Sequence, residues 1–224
     1  MPDIFAGFGE VTAALMAFLA SHSLPSLPTV RQRLIQVIGL RAYLVVHSVM
    51  GTATLIWLVA ASLRAPYLLL WGPYDGTRWV PILVMPLALI LLTAGLTWPN
   101  PFSLGIGAKG FDPARPGVVA ITRHPVLWAA ALWAFAHLIA NGTLRAILLF
   151  GVLGGFSLMG TRIFDRRRGL ALDKSSNIPF LALMQGRTLL RDWRGWVWRI
   201  LLGLVLYGLL LVLHGPVIGR SLLP

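Results

Sequence analysis

Six apolar runs follow one another along the chain, at residues 4–22, 34–62, 80–98, 123–140, 145–160 and 196–214. A membrane-spanning helix takes about 20 mainly apolar residues, within a range of about 17–25. The run at 34–62 exceeds that need. The fourth and fifth runs are short and are separated only by Asn141, Gly142, Thr143 and Leu144, which predicts a tight helical hairpin. Residues 161–194 are polar enough to leave the bilayer, and no internal repeat or low-complexity tract breaks the order. The pattern predicts an all-α, polytopic membrane bundle of about six spans in one transmembrane domain over residues 1–224.

Composition supports this. Hydrophobic residues make up 57% of the 224, and only 12% are charged, about half the share usual in a soluble protein. The mean hydropathy is +0.79. A net charge of +12 without a groove-reading motif points away from nucleic acid and toward anionic headgroups flanking the apolar runs. The cysteine count of 0 excludes disulfides, thiolate metal sites, iron–sulfur clusters and covalent haem attachment. The first run has no basic residues ahead of it, so it is expected to be a retained span and not a cleaved signal.

Lys/Arg bias orients the bundle. With the N-terminus outside, 15 of the 19 cations fall on the inner side, leaving Arg64, Arg78, Arg145 and Arg220 outside. The expected topology is therefore multi-pass with the N-terminus outside. Glu10 in the first run is costly there and calls for a partner or a wet cavity, or else for a span that starts later than residue 4. Arg166, Arg167 and Arg168 mark the end of the fifth span, and Asp165 is expected to neutralise one of them.

All five histidines, His22, His47, His124, His137 and His214, fall within or at the edge of an apolar run. Neutral imidazole is the commonest side-chain metal ligand, and two imidazoles can hold a haem iron from opposite faces. His47, one turn after Tyr43, reads as an interhelical hydrogen bond or as a group distal to a cofactor.

In Thr122-Arg123-His124-Pro125 the hydroxyl of Thr122 is a suitable N-cap, and Pro125 suits a first helical turn. An anion arriving there would meet Arg123, His124 and the helix's positive end. His137 lies thirteen residues beyond His124. At about 100° per residue the two point roughly 220° apart and so serve different sites. The His137 face also carries Ala130, Trp133, Ala134 and Asn141, small residues with one broad aromatic.

The stretches "ASHSL", "ITRHP", "LWAFAHLIANG", "DRRR", "NIPFLALMQGR" and "LHGPVIG" resemble the NnrU family of bacterial membrane proteins over nearly the whole chain. The same domain forms the catalytic part of the plastid zeta-carotene cis-isomerase. That resemblance implies a non-covalent haem b with His22 and His137 as its iron ligands. It also implies a link to denitrification and nitric oxide metabolism. Depth along the spans favours other pairs, His22 with His124 and His137 with His214, because His137 rises about 20 Å above His124.

A more distant likeness runs through "GVVAITRHPVLW" and "RIFDRR" to isoprenylcysteine carboxyl methyltransferases. It implies S-adenosylmethionine held by Arg123 and His124, with Asp165 at the acidic position. Here Asp165–Arg166 replaces a pair of glutamates, and Val126–Leu127 replaces the usual aromatic.

The leading expectation is a haem b protein of the inner membrane, its role redox or ligand-linked. It would act in nitrogen-oxide metabolism or in cis-trans isomerisation of a lipophilic polyene. Its partners would be the lipid bilayer and a lipophilic substrate or small gas ligand. A methyltransferase and a non-catalytic assembly or transport factor are the alternatives, so enzymatic activity stays open.

Overall fold

A computed structural model describes residues 7–72, 76–168 and 174–219. Residues 4–6 of the expected first span, the side chains of Arg167 and Arg168, and Arg220 lie outside the described residues. The described chain is helical, its only bridge being the isolated pair Leu69 and Thr143. The helices are α1 (Gly9–Ser23), α2 (Pro28–Arg64), α3 (Trp79–Thr97), α4 (Pro125–Asn141), α5 (Leu144–Ala146), α6 (Val152–Arg168), α7 (Leu181–Met184) and α8 (Trp193–Ile218). A 3₁₀ turn at Gly117–Ala120 precedes α4, and a π-helical stretch at Ile147–Gly151 leads into α6.

Four helical segments are long and apolar enough to cross a membrane: Pro28–Arg64, Trp79–Thr97, Leu144–Arg166 and Trp193–Ile218. Two shorter helices accompany them, α1 of 15 residues and α4 of 17. The outward faces are aliphatic: Val45, Val49 and Ile56 of α2 and Val205, Leu209 and Val212 of α8 are each more than half exposed. In water such faces would cost free energy in proportion to their area. Against lipid tails they cost nothing, and the chain is a multi-pass membrane protein.

The excess length of α2 has a local cause. Gly39 breaks the helix with φ 78° and ψ 159°, a conformation that L side chains resist. Residues 28–38 thus form a separate polar-and-apolar segment carrying Arg31 and Arg33. Residues 40–64 rise about 37 Å, enough to cross the hydrocarbon core.

The chain divides into two compact units, Met1–Gly72 with Gly142–Phe150, and Pro73–Asn141 with Gly151–Pro224. In the first, α1 packs along α2, and Ser21 and Thr54 join them through a hydroxyl–hydroxyl bond of 2.9 Å. Glu10 finds its expected partner here: Arg64 Nε donates to Oε2 at 3.1 Å, Arg64 Nη2 binds Oε1, and Trp57 Nε1 donates to Oε1 at 3.3 Å. Gly142 pairs with the segment before it, its carbonyl accepting from Leu70 N (2.8 Å) and Trp71 N (3.1 Å). Gly142 has φ 59°, and a Cβ there would stand 2.1 Å from the Trp71 carbonyl oxygen. Only glycine makes this turn. Thr143 caps the following turn by accepting from Ala146 N.

In the second unit α3 packs against both α4 and α8, and α4 packs against α6. Ala94, Trp98 and Val118 form a buried cluster, with Leu91 and Trp196 against it. α3 and α8 run antiparallel, tied near one end by Arg199 and near the other by Tyr207 Oη, which donates to Ile82 O at 2.9 Å. Arg199 is 7% exposed. It donates to Thr97 O (3.0 Å), Thr97 Oγ1 (3.0 Å) and Gly195 O (2.8 Å). Its guanidinium lies 3.8 Å from the Trp98 ring centre and 4.1 Å from that of Trp198. A charge this enclosed is tolerated because its donors are satisfied and two π-faces flank it.

Candidate functional site

The start of α4 is the most polar interior region of the second unit. The helix begins at Pro125, two residues later than the sequence predicts, so Thr122 is not its N-cap. Pro125 favours an extended residue before it, which holds His124 outside the helix. Thr122 Oγ1 instead accepts from His124 N at 3.2 Å and donates to Asn177 O at 2.7 Å. Arg123 makes a two-pronged ion pair with Asp165 of α6, Nε to Oδ1 at 3.0 Å and Nη2 to Oδ2 at 2.8 Å. His124, wholly buried, donates from Nε2 to the same Oδ1 at 2.9 Å.

Asp165 therefore neutralises Arg123, where the sequence suggested one of the arginines just after it. The place expected to receive an incoming anion is occupied by a carboxylate of the chain itself. Both groups proposed for the carboxylate of S-adenosylmethionine are committed to that internal anion.

A polar loop seals this cluster. Arg123 N donates to Ser176 O (2.9 Å), Arg123 Nη1 to Ser175 O (3.3 Å), Trp128 Nε1 to Asn177 O (2.9 Å), and Asn177 Nδ2 to Thr161 Oγ1 (3.0 Å). From the other side Asn100, fully buried, donates to Arg123 O at 2.9 Å and accepts from Phe102 N at 2.8 Å. Asn100 and the 175–177 loop escaped the sequence reading. Their only signal was a polar residue between two prolines and a short polar run, neither specific.

His137 occupies different surroundings, as the helix phase predicts. Its Nδ1 bonds the carbonyl of Trp133 at 2.8 Å, and its ring lies 5.6 Å from that tryptophan's. Asn141 Nδ2 donates to His137 O at 2.7 Å. His214 of α8 is within electrostatic reach of His137.

In the first unit His22 repeats this arrangement. Its Nδ1 bonds the carbonyl of Phe18, four residues earlier, at 2.9 Å. A carbonyl oxygen can only accept, so in both histidines Nδ1 carries a proton. The Nε2 edge of His22 faces Gly51 of α2, where a Cβ would come within 3.0 Å of that nitrogen. Glycine thus lets the His22 ring pack closely against α2.

His47 stands next to His22, ring centres 6.2 Å apart in an edge-on arrangement, and stacks nearly parallel on Tyr43 at 5.7 Å. Tyr43 Oη donates to Pro25 O at 3.1 Å. The interhelical hydrogen bond expected of His47 is not seen at Nδ1, which is enclosed and has no partner among the described residues. Ring stacking takes its place.

His22 and His47 thus belong to one unit, and Arg123, His124 and His137 to the other. No group of three or more His, Cys, Asp or Glu suited to a metal ion occurs among the described residues. A two-histidine haem site needs none. The family model described as NnrU protein matches residues 10–222, and the chain belongs to that family. No curated protein and no solved structure matches the chain.

Proposed function

From this NnrU membership, we propose that the protein is a haem b-binding protein of the bacterial inner membrane, multi-pass with its N-terminus outside. His22 and His137 hold the iron through Nε2. The observation that carries the reading is the bond each of these two histidines makes from Nδ1 to the carbonyl four residues earlier. An imidazole that donates Nδ1–H to a backbone carbonyl is oriented, made more basic, and left with its lone pair on Nε2. His124 is set the opposite way, its Nε2 proton given to Asp165.

Bound there, haem supplies one-electron redox chemistry and a centre for small ligands. The chain's own part is to fix two imidazoles and to surround them with apolar side chains. Phe18 lies tilted against His22, ring centres 4.2 Å apart, and Trp133 flanks His137. Such surroundings keep water away and favour a low-polarity ligand. The role we propose is redox or ligand-linked, in nitrogen-oxide metabolism or in isomerising a lipophilic polyene. A methyltransferase would require Arg123 and His124 to leave Asp165 for the cofactor, and the geometry favours haem over that reading.

The test is haem content after purification in mild detergent. His22→Ala and His137→Ala are expected to lose most of it, and His124→Ala to keep it. Equal loss in all three would overturn the ligand assignment.

A further inference from the structure

A groove of about 520 Å³ lies in the second unit, beside the N-terminal end of α8. Ile121, the neighbour of Thr122, lines one wall of it, and no histidine does. Its two ends differ in chemistry. At one end stand Arg191 and Trp193, with Arg194 beside them, its guanidinium 5.4 Å from the Trp193 ring centre. At the other end the lining is aliphatic: Ile90 of α3 with Val197 and Ile200 of α8. From Trp193 to Ile200 the helix rises about 10 Å. The groove therefore runs from the water boundary, where tryptophan and arginine belong, into the hydrocarbon.

We propose that this groove is a binding site for a phospholipid with an anionic headgroup. Neither a small soluble anion nor a plain hydrocarbon would use both ends. A phospholipid would place its phosphate against Arg191 and Arg194 and one acyl chain along Ile90, Val197 and Ile200. Asp192, the acidic residue between the two arginines in sequence, does not oppose the headgroup as a loose charge. Its side chain accepts from Gly195 N at 3.1 Å and caps α8. Trp193, 69% exposed, fits the glycerol level where amphipathic rings collect. An arginine near a membrane surface is worth about 1 kcal/mol toward anionic lipid, about fivefold in affinity, so the pair gives at least a tenfold preference.

The experiment is native mass spectrometry of the full chain released from nanodiscs holding equal amounts of phosphatidylglycerol and phosphatidylcholine. Wild type is expected to retain one phosphatidylglycerol per chain and little phosphatidylcholine. The double variant Arg191→Gln/Arg194→Gln should retain at least ten times less phosphatidylglycerol, with its helical circular dichroism unchanged. Ile200→Trp, which fills the aliphatic end, should lose it too. The double variant, altered only at exposed positions, decides the matter if Ile200→Trp does not fold. Equal retention of both lipids, unchanged retention in the double variant, or release as a lipid-free dimer would overturn the proposal, the last in favour of a second copy of the chain.

Discussion

Arg123 and Asp165, 42 residues apart in the chain, close a two-pronged ion pair that joins the start of α4 to the last turn of α6. The same carboxylate accepts the proton of His124. One acidic side chain thus serves two basic groups that apolar helices would otherwise leave uncompensated. The loop at 175–177 completes the arrangement through its backbone carbonyls.

Removing Asp165 is therefore expected to be costly. Asp165→Ala would strand Arg123, whose side chain is 16% exposed, together with the buried His124. Breaking an enclosed pair from one side costs about 3–5 kcal/mol, and the partial exposure of Asp165 puts this pair near the lower figure. Thermal unfolding in detergent should show a lowered midpoint for Asp165→Ala and a partial recovery in Arg123→Met/Asp165→Ala. A double variant no better than the single would contradict the pairing.

Gly51 offers a second handle, free of charge effects. In Gly51→Ala the new Cβ would come to 3.0 Å from His22 Nε2 and press the ring out of its place. Haem retained per chain should fall at least fivefold, while the α1–α2 hairpin survives. Gly208→Ala on α8, where nothing lies within 4 Å of the added carbon, is the matched control and should keep its haem. Equal haem in the two variants would contradict a role for the His22 ring position in holding the group.

Gly142 governs the turn into the π-helical stretch. An alanine there meets the Trp71 carbonyl at 2.1 Å and must also hold φ near 59°. Left-handed backbone alone costs about 1–2 kcal/mol for a residue with a Cβ, and the overlap adds about 1–3 kcal/mol. Gly142→Ala should therefore lose folded yield and thermal stability. Gly155→Ala in α6, with open space around its Cβ, should be neutral or stabilise by up to about 1 kcal/mol. A size-exclusion profile after graded heating separates the two.

Long apolar runs were the most legible feature of the sequence. The run at 80–98 appears as Trp79–Thr97, and the run at 196–214 sits inside Trp193–Ile218. Bilayer thickness demands such lengths whatever the tertiary contacts. The break inside α2 was less legible, because a glycine among leucines and isoleucines reads equally well as helix. Gly39 acts through a backbone angle that no hydropathy pattern records.

The site was legible only in part. The family motif and the helix phase separate His124 from His137, and the structure gives each its own partners. The partner of Arg123 could not be read, because Asp165 precedes three arginines that are its nearest cations in sequence. Thr122 shows the same limit. As a residue type it is a good cap, but Pro125 shifts the helix start and turns its hydroxyl to the loop. Tautomers are the furthest from sequence of all. They follow from which carbonyl or carboxylate each imidazole meets.

The central claim is that His22 and His137 form a haem site, and an optical spectrum of the detergent-purified wild-type protein tests it most directly. The protein should be made in cells given iron and a haem precursor, then measured before and after dithionite. Two neutral imidazoles on one iron predict a low-spin ferric spectrum that sharpens into resolved visible bands on reduction. A colourless protein that also takes up no added hemin would contradict the account.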